Sequence, residues 1–339
     1  VIEVAADTAY PLGRPKLDRV LWTLNPDINS ALTKVLAGEA DLLETVTPDG
    51  MARVAASTII HAVPFTGLNY GYLGFNQRDP KDPSKPHALF ADRRLRRALT
   101  MAIDRRAMLK NVFDTLANLN LGPFSRTFAT ADTTLPQIPF DSAGAALLLD
   151  SLGWRDTNGD GIRDRGGRPL RFGLMFPSVS LPRRRYAELL QAQLRQHGVQ
   201  VNLDIADISA VGPRMFGGQF DALINNWQTD PSPSAIKETW ASVPPERRGS
   251  NLLAYYNLAV DAAIDSAIAE MNPERSRALY RSAYRQIVDD APAVWLYENR
   301  PFLAAHRRLR PAVSGSDTWW RYLRLWWIPA AERIDRDAR

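Results

Sequence analysis

The sequence predicts an α/β protein of two lobes joined by crossover strands. Three observations carry that expectation. The chain has 339 residues, more than one ordinary domain and about right for two. Its apolar share, 45%, is enough to build two cores. Strand-like and helix-like segments alternate along it, the order that generates parallel sheets.

The elements follow in turn. Arg19 to Leu24 is a short strand-like run, and Asn29 to Ala37 reads as a helix closed by Gly38. Glu39 to Leu43 leads into a second strand, Thr58 to Val63 gives a third, and the aromatic run Leu68 to Phe75 a fourth. From Asp92 to Leu116 a helix is expected. Leu95, Ala98, Leu99, Ala102 and Ile103 recur at three- and four-residue spacing, with Arg93, Arg94, Arg96 and Arg97 mostly off that stripe. Ser142 to Leu152 is a further helix, and Arg171 to Phe176 a strand. The helix after Pro182 carries Tyr186, Leu189, Leu190 and Leu194 on one face and stops at Gly198. Val199, Val201, Leu203 and Ile205 alternate with polar residues, the period of a half-buried strand. Phe220 to Trp227 is a mostly apolar strand. Asp261 to Ile287 reads as two helices broken at Asn272-Pro273, and Val294 to Tyr297 as a short returning strand.

Composition narrows the function classes. The net charge of +5 rests on 42 basic residues interleaved with 37 acids. No basic stripe is paired with a recognisable binding module, so a solvated surface is expected and nucleic acid is not. Cysteine is absent, which rules out disulfides and thiolate metal sites. No apolar run approaches the roughly 18 residues of a membrane span. The chain opens VIEVAADTAYPLGRPKLD, without the basic start and apolar core of a signal peptide. Its four histidines, His61, His87, His197 and His306, stand far apart, and there is no nucleophile elbow, P-loop or dinucleotide fingerprint. An enzyme built on one of the many possible carboxylate pairs is the competing class.

The stretch Tyr70 to Leu109 reads YGYLGFNQRDPKDPSKPHALFADRRLRRALTMAIDRRAML. The order F-N, loop, D-R-x-L-R-R-A-L-x-x-A-I-D-R resembles the signature segment of family 5 extracellular solute-binding proteins, the peptide- and nickel-binding receptors of ABC importers. Gly38 to Asp41 is similar to the family's G-E-x-D turn. Asn251, Tyr255, Asn257 and Asp261 are similar to its N…Y-x-N-x-x-x-D run, which reads as a structural loop entering a helix. The resemblance implies a periplasmic-binding-protein-like fold of type II, cluster C. Lobe one would comprise residues 1–75 and 296–339, and lobe two residues 76–295. The crossings are expected near Gly74 to Asn76 and Leu296 to Asn299.

It also implies binding rather than chemistry. An extended ligand, a peptide first, would be held in the cleft and passed to a membrane permease. An oligosaccharide, an opine, a metal chelate or a sensor module on the same fold remain alternatives. The segment from Gly13 onward resembles a portion about a third of the way into such receptors. A signal and an N-terminal portion would then lie upstream, and the protein would sit in the periplasm or outside the cell, with a lipid anchor as one option.

Ligands of open α/β sheets sit beyond strand ends, which singles out the ends of Leu68–Phe75, Phe220–Trp227 and Val294–Tyr297. Tyr70, Tyr72 and Asn76 are candidate contacts from the first. Asn225, Trp227, Gln228 and Asp230 are candidates from the second, FDALINNWQTDP. In peptide-binding members a W-x-x-D at this place resembles the carboxylate that holds the peptide's α-ammonium. The same Asp-Pro pair also reads as a turn in which aspartate caps its own loop. Short-peptide binders carry an arginine after the strand preceding the Pro182 helix. Pro177 stands there in this chain, and arginines come only at Arg183 to Arg185, where the helix N-terminus favours anions.

Residues 154–170, WRDTNGDGIRDRGGRPL, place Asp156, Asn158, Asp160, Gly161 and Asp164 at positions 1, 3, 5, 6 and 9 of a calcium loop. Position 12 is Gly167, so the bidentate glutamate is missing. Structural calcium is one reading and a glycine-rich tight turn the other. No other cofactor is expected. The run SDTWWRYLRLWWIP, residues 316–329, reads as a tail packing on the first lobe, with an interfacial anchor as the alternative.

Overall fold

The computed structural model describes residues 1–65, 67–230, 232–244, 249–310 and 318–334. They form two compact units, Val1–Leu68 with Arg300–Arg339, and Asn69–Asn299. The divisions fall at 68/69 and 299/300 rather than at 75/76 and 295/296. Both crossover strands, Asn69–Phe75 and Ala293–Asn299, pair along their length inside the sheet of the second unit, and that pairing decides where they belong.

The first unit is built on a three-stranded antiparallel sheet, in the order Leu42–Leu43, Phe302–His306, Ile60–Pro64. Helices Ile28–Leu36 and Pro48–Ala55 contribute Leu32, Val35 and Val54 to a core shared with Ile60 and Ala304. Asp27 and Thr47 start these helices by accepting from the Ser30 and Gly50 amides. The second helix is not foreseen from sequence, because its opening Pro-Asp-Gly reads as a turn. Trp319 and Trp326 are buried with Leu303 and Leu309, so these two serve packing, while Trp320 and Trp327 remain exposed. Strands Ile2–Ala5 and Arg19–Trp22 pair with each other as a largely exposed ribbon. Residues 316–317 of the tryptophan-rich tail lie outside the described residues.

The second unit holds a six-stranded mixed sheet. Its order is Gln200–Ala206, Arg171–Pro177, Ala222–Gln228, Asn69–Phe75, Ala293–Asn299, Ala117–Asn118. The first three run parallel, and Asn69–Phe75 is antiparallel to both its neighbours. Apolar residues line both faces. One carries Leu73, Phe75, Leu174, Ile224 and Val294 under helices Arg93–Met101, Ser142–Ser151 and Leu181–Arg195. The other carries Tyr70, Tyr72, Leu223 and Trp295 under helices Leu258–Ala269 and Pro273–Asp290. A strand in the middle of such a stack is buried on both sides, and Asn69–Phe75 is buried from Tyr70 onward. Gly71 is glycine because the Tyr297 ring lies over it, and a Cβ would stand 2.3 Å from that ring.

The single helix expected over residues 92–116 is two, Arg93–Met101 and Arg105–Val112. Asp104 ends the continuity by accepting from the Arg106 and Ala107 amides at 3.1 and 2.9 Å, which makes it the N-cap of the second. Arg96 also departs from the basic-face expectation, for it is buried. Its guanidinium donates to the carbonyls of Phe90 (2.7 Å), Asp290 (2.7 Å) and Ala291 (3.1 Å). The last two belong to the C-terminal end of helix Pro273–Asp290, where carbonyls lack helical partners and the dipole favours a cation. Burial lowers the Arg96 pKa to about 10 despite the nearby Asp290. Nearby, Asn251 donates to the carbonyls of Ala241 and Tyr255, both 2.8 Å, while Tyr255 and Asn257 donate to Asp290 at 2.6 and 2.7 Å. The N…Y-x-N run is thus structural, as its sequence suggests.

Candidate functional site

Strand direction decides which loops can meet. Gln228 pairs with Asn69, and Glu298 with Tyr70, so the ends of Ala222–Gln228 and Ala293–Asn299 share one edge of the sheet with the start of Asn69–Phe75. Ala206 and Pro177, paired with each other, close the same edge. Both crossings to the first unit leave from here. Phe75 pairs with Ala222, so its end faces the other way. The three loops named from sequence therefore do not converge, and the start of the fourth strand replaces its end.

Asn76 accordingly lies away from Asp230. It is buried, with its amide donating to the carbonyls of Gly218 (3.1 Å) and Phe220 (2.8 Å) and its oxygen accepting from Arg78 N. It ties two strand ends together, a structural role. Tyr70 and Tyr72 are also corrected. Both are buried on the face that carries Trp240, Tyr255 and Trp295, with ring centroids 5.1–6.3 Å apart within the cluster. Trp240 Nε1 donates to the Tyr70 hydroxyl at 3.3 Å and Asn225 Nδ2 to the Tyr72 hydroxyl at 3.2 Å. Burial pushes the Tyr72 phenol up to about 12. Asn225 is buried with it, and so supports the cluster rather than the surface.

The remaining candidates do reach the surface. Trp227 is half-buried against the same aromatic cluster, while Gln228 and Asp230 are exposed. Asp230 Oδ1 accepts from the Ser232 amide at 2.8 Å, which is the turn-capping geometry, and leaves Oδ2 without a partner among the described residues. Pro231 lies outside the described residues. Both readings of this aspartate thus coexist in one side chain.

One feature of this edge was not legible in sequence. Glu298 is buried and takes the Arg126 amide on Oε1 (2.5 Å) and Arg126 Nε on Oε2 (2.6 Å), while Arg126 also donates to Leu119 O. The partners are 172 residues apart, so no local pattern announces them. Arg183 is half-buried and its charge favours ionisation of the Tyr297 phenol, whose pKa is raised by burial all the same. Arg184 is exposed.

The side chains of the glycine-rich loop hydrogen-bond its own backbone. Asp156 accepts from the amides of Gly159 and Gly161 at 2.8 and 2.9 Å, Asn158 from Asp160 N at 3.0 Å and Asp160 from Ile162 N at 2.7 Å. Asp164 accepts from the Thr157 amide and hydroxyl. These bonds fix the loop's shape and occupy one acceptor position on each oxygen they use. Gly159 and Gly161, both at φ +78°, supply the left-handed corners. Among the described residues no group of three or more histidines, aspartates or glutamates could hold a metal ion.

A sheet whose parallel strands end beside two chain crossings is the arrangement expected of a two-lobe α/β fold. Comparison with known proteins agrees. The sequence matches the family described as Bacterial extracellular solute-binding proteins, family 5 Middle, over residues 1–243. The chain belongs to that family, which places it in the periplasm or outside the cell. It is 28% identical over 301 residues to the oligopeptide-binding protein AppA of Bacillus subtilis (strain 168), covering 87% of this chain and 53% of that protein. It is 25% identical over 287 residues to the nickel-binding periplasmic protein of Escherichia coli (strain K12), covering 82% and 52%. The solved structure of B. subtilis AppA in complex with a nonapeptide superposes with a TM-score of 0.82 at 26% identity, over 97% of this chain and 64% of that one. The chain spans about half the length of the curated relatives it matches. Among the described residues no helix is long and apolar enough to cross a membrane.

Proposed function

We propose that this chain is the ligand-capturing part of a solute receptor serving an ABC importer. Its ligand is an extended peptide, and the receptor hands it to a membrane permease. The mechanism is binding, with no chemistry on the ligand.

The carrying observation is Asp230, an exposed carboxylate with one oxygen turned into its own turn and the other without a partner among the described residues, two residues beyond a strand that ends beside the chain crossings. The capped oxygen fixes the side chain, so little rotamer entropy remains to be lost on binding. The other oxygen is aimed to accept from a cation such as a peptide's α-ammonium. Trp227, half-buried and anchored on the aromatic cluster, offers a flat apolar wall beside it, and Gln228 a polar contact. AppA of B. subtilis, similar over nearly all of this chain, is seen with a nonapeptide, which favours a long peptide over a dipeptide. Pro177, at the strand end where short-peptide binders resemble one another in carrying arginine, points the same way.

The test is a thermal-shift and calorimetric screen against di- to nonapeptides, oligosaccharides and nickel chelates. A peptide at a hundred times its Kd stabilises the fold by about 2.7 kcal/mol. Peptides blocked by N-acetylation lose that shift if Asp230 holds the ammonium. A shift with a sugar or chelate and none with any peptide replaces the ligand class and leaves the family assignment standing.

A further inference from the structure

The opposite edge of the same sheet carries a pocket that the peptide reading does not use. Its volume is about 610 Å³. It lies where strands Arg171–Pro177 and Ala222–Gln228 begin and Asn69–Phe75 ends. Seven-residue strands separate it from the Asp230 edge by about 20 Å.

Its walls are chemically lopsided. The two acids that line it are partly engaged, Asp221 on both oxygens and Asp79 on one. Asp79 Oδ1 accepts from the Lys81 and Asp82 amides at 2.8 and 3.1 Å. Asp221 takes His87 Nε2 on Oδ1 at 3.2 Å and the Gly173 amide on Oδ2 at 2.8 Å. The His87 tautomer is set from behind, since Nδ1 accepts from the Leu89 and Phe90 amides at 3.1 and 3.0 Å, leaving Nε2 to donate. The cations are not hydrogen-bonded, although Lys81 acts on Asp221 through its charge. Lys81, Arg168 and Arg171 line the pocket, are exposed, and make no side-chain hydrogen bond or ion pair among the described residues. Pro80, Leu89 and Pro169 supply an apolar wall between them.

Three cations against two acids leave the pocket net positive, and that balance favours an anionic ligand. We propose that this pocket is a second binding site, remote from the peptide edge, for an anion carrying two or more phosphate or carboxylate groups. The two arginines can present paired N–H donors to such groups and Lys81 a point charge. The volume exceeds what one oxyanion fills, and three cations from two separate segments ask for a ligand with more than one charged end. A soluble phosphate compound and an anionic lipid headgroup share this chemistry.

The experiment is isothermal titration of the purified chain with pyrophosphate, alongside sedimentation with phosphatidylglycerol vesicles. The variants are Lys81→Glu with Arg171→Glu, and the milder Lys81→Ala with Arg171→Ala in case the reversal perturbs folding. Arg275→Glu, on the helix Pro273–Asp290, controls for net charge. Pyrophosphate binding that weakens at least tenfold in the reversal variant, less in the alanine variant and not in Arg275→Glu supports the site with a soluble ligand. Vesicle binding with that same variant pattern, and none to pyrophosphate, supports it with a headgroup. Binding to neither, or binding that follows net charge alone, so that the single reversal Arg275→Glu costs about half of what the double reversal costs on a logarithmic scale, overturns it. Peptide affinity at Asp230 stays unchanged in all these variants, so the outcome is independent of the proposed function.

Discussion

The two edges of the six-stranded sheet are made from the same strands and use their polar residues differently. At the Asp221 edge Asn76 ties two carbonyls and Asp221 binds His87 and Gly173. At the crossing edge Glu298 is likewise held inside by Arg126, but Asp230 keeps an oxygen without a partner among the described residues and Gln228 is exposed. Between them lies an aromatic block, Tyr70, Tyr72, Trp240 and Trp295, that is neither. The difference teaches that residue type does not identify a contact surface in this fold. Strand direction does, because it sends one end of each strand to the crossings and the other away.

The comparison is broken most severely through the block that separates the edges. Trp240→Ala is expected to cost about 4 kcal/mol, the usual penalty for emptying a fully buried aromatic site, read as a lower urea midpoint. Peptide affinity of the fraction that remains folded should be little changed if the block only supports the edge. Arg96→Ala comes next, at about 3 kcal/mol, because it strands the carbonyls of Asp290 and Ala291 and removes a buried cation. Arg96→Lys should recover only part, since one ammonium cannot span those acceptors.

Asp230→Ala sharpens the contrast from the other side. It should weaken peptide binding by roughly 10- to 100-fold, the worth of a charge-assisted hydrogen bond, and move stability by less than about 0.5 kcal/mol. A loss of stability without a loss of affinity would make it a turn residue and nothing more.

The smallest effect is a pH dependence at the far edge. Burial works against ionisation of Asp221, but the His87 hydrogen bond, the Gly173 amide and nearby Lys81 leave its pKa below the usual carboxylate value. A depressed folded pKa contributes stability that is complete above the unfolded value, about pH 4, and is lost as pH falls through the folded one. Asp221→Asn should therefore flatten the acid limb of the urea midpoint below about pH 4 and leave its slope near pH 7 unchanged.

Much of the fold was legible locally. The alternation in Val199 to Ile205, the stripe of Tyr186, Leu190 and Leu194, and the Asn272-Pro273 break each follow from a period or a fixed φ, and each element forms near its expected bounds. Helix Ile208–Phe216 was missed because it is short and carries Gly212 and Pro213 inside, although Val211 and Met215 pack against the aromatic core. Of the site, Trp227, Gln228 and Asp230 were legible as a strand followed by a turn. Tyr70, Tyr72 and Asn76 were misplaced because periodicity gives which residues share a face, not what covers that face. Arg126–Glu298 was invisible, for it joins residues 172 apart.

By itself the sequence determined what local chemistry can determine: most of the helices and strands, the Asn272-Pro273 break, the glycine-rich turn, and the ordered motifs that mark family 5. The tertiary structure alone decided which way Asn69–Phe75 runs between its neighbours, which edge each loop joins, and which polar atoms are spent inside. The physical reason is that hydrogen bonds between strands and burial between layers couple residues far apart in the chain, and those couplings leave no period for a local reading to detect.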